Sequence, residues 1–257
     1  MCILESKKLT VTVDKLVLVK DIDLKIYAGE IHAVVGPNGA GKTSLLNAII
    51  GDIPTYSGEL LLCGHRPSWN ITEQAKSVAV LPQLSLLNFP YTVTEVVALG
   101  RTPHSTGFRL DQQIVREAMS AMDISHLSGR LYTQLSGGEK QRTQLARVMT
   151  QIWREEDASQ RLLLLDEPTS ALDLGHQQQL MEAVQRFAVE GVAIFMVVHD
   201  INIAARYADH TLALLQGSTI AQGYTQEILT EPLLKKLFSA DLRLVKHPET
   251  GKVHVIA

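Results

Sequence analysis

The 257 residues carry 24 basic and 27 acidic side chains, a net charge of −3, with 46% hydrophobic and 20% charged residues. That balance is ordinary for a globular protein long enough to bury a sizeable core, and it lacks the basic surplus that accompanies nucleic-acid binding. The two cysteines, Cys2 and Cys63, lie far apart and in no C-x-x-C pattern, which excludes a disulfide framework, a structural zinc site of that kind and covalent haem attachment.

Met1–Glu5 turns acidic by its fifth residue and has no long apolar core, so no secretory leader is expected. Residues 9–26 alternate apolar and polar positions, as in Leu9-Thr-Val-Thr-Val13 and Ile22-Asp-Leu-Lys-Ile26, the period of antiparallel strands with one wet face. Ala28-Gly29-Glu30 turns the chain into a β-rich run ending at Val35, and Leu45–Ile50 reads as helix, broken at Gly51–Pro54. Gly58–Gly64 predicts a short strand closing the antiparallel part, and Ser77–Gln83 a buried strand ending at Pro82. From Ser85 to about Trp153 the pattern becomes helical, with Thr92 or Thr94 as an N-cap, an amphipathic stretch over 112–122 and a long helix over 137–153. A charged loop, 154–161, leads back to Leu162–Asp166 and, after a helix over 177–188, to Val192–Val198; these continuous apolar runs predict strands covered on both faces. The second of them is the longest convincing apolar run, far short of the roughly 20 residues of a membrane span. A hairpin about Gln216-Gly217, a helical stretch over 225–238 with an irregularity at Pro232, and a tail hairpin turning near Glu249–Gly251 complete the chain.

Between the Val35 strand and the following helix stands Gly36-Pro37-Asn38-Gly39-Ala40-Gly41-Lys42-Thr43-Ser44. Strand, glycine loop and helix form the context that the G-x-x-x-x-G-K-[ST] pattern requires. Its glycines let successive N–H groups approach a phosphate, the helix N-terminus favours the same anion, Lys42 can add a mobile positive charge, and the Thr43 hydroxyl can ligate Mg²⁺. Asp166 and Glu167 end an apolar strand side by side: Asp166 is suited to the Mg²⁺ carried by a nucleotide, Glu167 to polarising an attacking water. Leu135-Ser-Gly-Gly-Glu-Lys-Gln-Arg142 contains a capping box, Ser136 with Glu139. Capping has no need of Gly137 and Gly138, which cost helix stability at about 1 kcal/mol each but suit a helix start that a phosphate approaches.

The phosphate loop, Gln83, the LSGGEKQR string, LLLLDEP, Ser170-Ala-Leu-Asp173 and His199 together resemble the ATP-binding subunits of ABC transporters, over nearly the whole chain. The fold this resemblance implies is α/β, a P-loop NTPase with a mixed-sheet core and an antiparallel β subdomain (1–84 and 154–257) and an inserted helical subdomain (85–153), all one ATP-binding domain. It further implies a head-to-tail homodimer sandwiching two ATP molecules, each phosphate loop facing Ser136, Gly137 and Gly138 of the other copy. Gln83 would sense Mg²⁺ and water, together with Thr43 and Asp166 as metal-side residues; Glu167 and His199 would act at the γ-phosphate, and Asp173 would lie in the loop crossing the interface. Where the family often stacks adenine on an aromatic residue, this chain has Val11 and Val13, with Tyr27 nearer the loop strand, so phosphate contacts are expected to carry most of the binding.

A single nucleotide-binding unit implies two separate membrane permease subunits, and through them a periplasmic or surface substrate-binding protein; the chain would sit at the cytoplasmic face of the membrane and bind no nucleic acid. Phe89–His104 is similar to the permease-facing segment of importers for ferric siderophores, cobalamin and haem, and Gln151–Trp153 with Leu172–Gln178 leans toward the haem branch. The siderophore and cobalamin importers are the near alternatives. A soluble ABC ATPase of DNA repair or translation is the distant one, against which stands the absence of coiled-coil insertions, zinc motifs, duplicated units and basic arms.

Overall fold

The computed structural model describes residues 1–53, 56–67, 70–83 and 89–256. Two long antiparallel strands, β1 (Cys2–Val13) and β2 (Leu16–Tyr27), open the chain. β1 begins well before the alternation recognisable from Leu9, because register shifts between Cys2 and Leu4 and between Ser6 and Leu9 break the period-two pattern there. A turn with Gly29 in the left-handed region leads to β3 (Ile31–Val35), then the phosphate loop and α1 (Lys42–Ile50), which starts three residues before Leu45. β4 (Tyr56–Leu62) pairs with β1, as expected of a strand closing the antiparallel part. Pro54 of the expected helix break lies outside the described residues.

A short helix, α2 (Ile71–Ser77), was absent from the sequence reading. It buries none of its residues, so it carries no apolar stripe, and it is started by Asn70, whose side chain accepts from the Thr72 and Glu73 N–H groups. β5 (Val78–Leu81) follows. The expected start of the helical region at Ser85 lies outside the described residues. Beyond it come α3 (Val93–Ala98), α4 (Phe108–Ala121) and α5 (Gly137–Gln151). Thr92, not Thr94, caps α3 through a full capping box with Glu95, and α5 ends two residues short of Trp153.

β6 (Leu162–Asp166), α6 (Leu174–Val189) and β7 (Ala193–Val197) form the expected parallel crossover, with α6 starting three residues earlier than predicted because Asp173 caps it. After α7 (Ile201–Tyr207), the antiparallel pair β8 (His210–Leu215) and β9 (Ser218–Tyr224) turns at Gln216-Gly217. The stretch 225–238 is two helices, α8 (Thr225–Ile228) and α9 (Glu231–Phe238): Pro232 stands in the first turn of the second, where its missing N–H costs nothing. β10 (Arg243–Lys246) and β11 (Val253–Ile256) make the tail hairpin.

Nine of the described strands form one mixed sheet in the order β4-β1-β2-β9-β8-β3-β7-β6-β5, parallel from β8 to β5. Its central strands alternate between two cores. Leu163, Leu165, Ile194 and Met196 pack with α3, α5 and α6 residues such as Val97, Leu145 and Leu180. Leu162, Leu164, Phe195 and Val197 pack on the other face with Leu45 and Ile49 of α1 and with β1 and β2. Burial on both faces explains why these strands read as unbroken apolar runs. Among the described residues no helix is long and apolar enough to cross a membrane.

Candidate active site

The phosphate loop hangs from the carboxyl end of β3 and is shaped by close backbone approaches. A Cβ at Gly36 would stand 2.2 Å from the Leu214 carbonyl oxygen, and one at Gly41, where φ is +99°, 2.7 Å from that of Leu18. Side chains at either position would push the loop off β8 or β2. α1 begins at Gly41 with no side-chain cap and no acidic residue in its first turn, so its leading N–H groups and positive dipole end stay available to an anion. Lys42 lies inside the loop, donating to the Gly36 (2.8 Å) and Pro37 (3.0 Å) carbonyls. Burial lowers its pKa, while the Glu167 and Asp166 charges act in the opposite direction.

Facing the loop, β6 delivers the two carboxylates. Asp166 is buried and hydrogen-bonds the Thr43 side chain, yet its Oδ1 has no protein partner. Burial, then the adjacent Glu167 charge, raises its pKa above the usual carboxylate range. An orphaned, buried carboxylate oxygen beside a hydroxyl is a hard-oxygen donor set of the kind Mg²⁺ prefers, so the residues fit the ion. Glu167 has φ +52°, a left-handed conformation uncommon outside glycine. Its N–H donates to the Val197 carbonyl (3.0 Å), its Oε2 accepts from Gln83 Nε2 (3.0 Å), and its Oε1 contacts His199 Nε2. Gln83 and His199, 84 and 32 residues away in sequence, thus grip one carboxylate from both sides.

These groups enclose a cleft of about 480 Å³ lined by Leu18, residues 38–44, Gln83, Glu167 and His199, a volume within the range of small-molecule sites. Leu18 is the lining residue the sequence reading missed; its carbonyl lies against Gly41, a long-range contact that no local pattern encodes.

Ser136, Gly137 and Gly138 do not line this cleft. Ser136 caps α5 in a reciprocal box with Glu139, whose pKa is lowered by the Ser136 N–H it accepts. A Cβ at Gly138 would meet Leu172 Cδ2 at 3.2 Å, whereas one at Gly137 would have no atom within 4 Å. Among the described residues nothing requires Gly137 to lack a side chain. Asp173 is exposed and caps α6, accepting from the N–H and Nδ1 of His176 at 2.9 Å each, which lowers its pKa. Two glutamines without an assigned part in the sequence reading, Gln141 and Gln177, hold the segment after Glu167 by donating to the Pro168 (3.1 Å), Thr169 (3.3 Å) and Leu172 (3.0 Å) carbonyls.

A family profile described as "ABC transporter" matches residues 19–170, more than half of the chain. The chain belongs to the ABC transporter family. As an ABC protein it is an ATP-binding subunit, and its chemistry is ATP hydrolysis. It is 46% identical to the hemin import ATP-binding protein HmuV of Pseudomonas fluorescens Pf-5, over 92% of each chain. To the protein of that name from Pseudomonas aeruginosa PAO1 it is 43% identical, over 93% of this chain and 94% of the other. Among solved structures it matches a chain of a transporter described as of the metal-chelate type, in an inward-facing conformation, with a TM-score of 0.81, 26% identity and coverage of 99% and 96%. It also shares its fold with the ATP-binding cassette MJ1267 in its ADP conformation (TM-score 0.76, 19% identity, 93% of this chain and 99% of that one).

Proposed function

We propose that this ABC ATPase energises the import of hemin. Relatives named for hemin import match more than nine-tenths of the chain at 42–47% identity, and that likeness carries the cargo reading. The catalytic reading rests on Glu167, held between Gln83 and His199 at the mouth of the phosphate loop. In the proposed mechanism residues 36–44 bind the ATP phosphates, with Lys42 leaving its loop carbonyls for the β- and γ-phosphate oxygens. Thr43, Asp166 and Gln83 hold the Mg²⁺ that accompanies ATP, which when bound neutralises charge on the phosphates. Glu167 accepts a proton from the attacking water, and His199, half-exposed at the end of β7, orients that water and the γ-phosphate.

Among the described residues Ser136–Gly138 do not line the nucleotide cleft, and the space at Gly137 is open. Both observations support a head-to-tail homodimer in which these residues cover the phosphates of the other copy, with Asp173 at the junction. The helices within 85–153 form the arm toward two permease subunits, which take cargo from a substrate-binding protein, and the ATPase lies peripherally on the cytoplasmic face of the membrane.

The test is reconstitution with the permease in liposomes, measuring ATP-driven movement of hemin, a ferric siderophore and cobalamin with wild type and Glu167→Gln. Hemin movement lost in the variant, which still dimerises with ATP, is the expected result. Movement of another cargo alone overturns the hemin reading and keeps the ATPase. Hydrolysis without permease binding overturns the transporter reading.

A further inference from the structure

At the ends of β3 and β8 remote from the phosphate loop, three metal-ligating side chains converge. His32 and His210 are register partners on these parallel strands, so their side chains leave the same face of the sheet; Glu30, two residues before His32, is directed to that face as well. Glu30 Oε2 lies 2.9 Å from His32 Nε2, Glu30 Oε1 lies 3.9 Å from His210 Nε2, and the ligand atoms of all three fall within 4.8 Å of one another. The imidazoles stack at 4.6 Å with 16° between planes, and Tyr224 closes the far side of His210 at 4.5 Å. Glu30 is fixed by the Tyr27 N–H.

His32 and His210 form part of the wall of a cleft of about 580 Å³ that is separate from the nucleotide cleft and shares no residue with it. Lys7 and Lys25 also line it, but both pair with carboxylates outside the cluster, Lys7 with Glu5 and Glu59 and Lys25 with Glu5, so among the described residues no lysine competes with a cation for Glu30.

We propose that Glu30, His32 and His210 bind a first-row divalent transition-metal ion of the Zn²⁺, Ni²⁺ or Cu²⁺ class, which fastens β3 to β8 beneath the phosphate loop. Two imidazoles and one carboxylate suit these ions and not Mg²⁺, whose preference is for oxygen ligands alone. Tetrahedral ligation at 2.0–2.1 Å sets ligand atoms about 3.3 Å apart. The Glu30–His32 spacing already lies near that value; His210, whose ring stacks on that of His32, must turn out of the stack and close a gap of at most 4.8 Å to complete the set, and the fourth position opens on the cleft that the two histidines line. The two strands so joined meet again at the loop, where Gly36 abuts Leu214.

The experiment titrates Co²⁺ into the nucleotide-free full chain, following its visible ligand-field absorption, then displaces it with Zn²⁺. Asp166→Asn serves as the background that disables the catalytic metal site. The expected result is one equivalent bound with nitrogen-ligand absorption in wild type and in Asp166→Asn. Affinity should fall at least about ten-fold in His210→Ala and in Glu30→Gln, two substitutions at partly exposed positions whose folding is checked by circular dichroism. Zn²⁺ should raise the melting temperature of wild type and not of His210→Ala. Absence of a saturable band, or a band unchanged in both His210→Ala and Glu30→Gln, overturns the site.

Discussion

Gly137→Ala separates what the fold requires from what the chemistry requires. Gly137 is the first residue of α5, its backbone lies outside the left-handed region, and a Cβ there meets nothing within 4 Å. Alanine is favoured over glycine in helices by up to about 1 kcal/mol, and the gain shrinks at a first-turn position. The isolated chain should therefore gain a few tenths to about 1 kcal/mol, a rise in melting temperature of roughly 1–4 °C at about 2–4 °C per kcal/mol. If Gly137 of one copy faces the phosphates bound to the other, the same methyl group enters the space of the γ-phosphate. Hydrolysis should then fall by at least about 100-fold, the scale of losing one preorganised backbone donor at a charged centre. Calorimetry and phosphate release on the same preparation test both halves. Gly138→Ala is the comparator: its Cβ displaces only the tip of Leu172, and stability should stay within about 0.5 kcal/mol of wild type. A Gly137→Ala chain that hydrolyses ATP normally refutes the facing arrangement, and one that melts lower refutes the open-space argument.

Other outcomes follow from the same geometry. Lys42→Ala should weaken ATP binding by roughly 10- to 100-fold, the worth of hydrogen bonds to a charged group; equilibrium binding with unchanged affinity would remove Lys42 from the phosphate site. Because burial raises the Asp166 pKa, the folded nucleotide-free chain retains that proton to higher pH than the unfolded chain. Its stability thus falls as pH rises from the ordinary carboxylate range through the raised value. Asp166→Asn should flatten that fall and melt higher at neutral pH while losing Mg²⁺-dependent tightening of ATP, measurable by thermal melts across pH with and without the ion. With no Phe, Tyr or Trp among the described residues that line the nucleotide cleft and aliphatic Leu18 in its wall, ATP and GTP should compete within about ten-fold of each other, since stacking on a ring contributes about 1–3 kcal/mol per base; a preference for ATP beyond 100-fold in competition binding would refute phosphate-dominated recognition.

The legible parts of this chain are those whose physics is local. The strands at 162–166 and 192–198 show in the sequence because both their faces are buried, and the α5 start shows because Ser136 and Glu139 satisfy each other's backbone partners three residues apart. α2 escaped notice because it buries nothing, and the first half of β1 because bulges shift its register. Motifs named the participants in the site, yet their contacts are long-range: only the folded sheet brings Gln83 and His199 to the two oxygens of Glu167. The Glu30–His32–His210 cluster had no sequence signature, since His32 and His210 are neighbours only through the pairing of β3 with β8.

On the catalytic reading, the contacts of Glu167 also account for how hydrolysis is linked to movement. Its backbone is tied to the sheet through the Val197 carbonyl and strained into the left-handed region, so the side chain has few ways to point. Gln83 approaches one oxygen directly after β5, on the side from which the chain leaves toward the helical region. From the far side of that region, α5 grips the next residue through Gln141 and the Pro168 carbonyl, and lays Gly138 against Leu172. The proposed general base is therefore held at its side chain by Gln83, just after β5 in the core, and at the following residue by α5, within the stretch proposed to face the permease. A displacement of that element by about 1 Å re-aims the carboxylate, and misplacements of that size cost on the order of 100-fold in rate. Docking to a permease would then act on hydrolysis through the position of Glu167, with no group of the permease needed at the nucleotide.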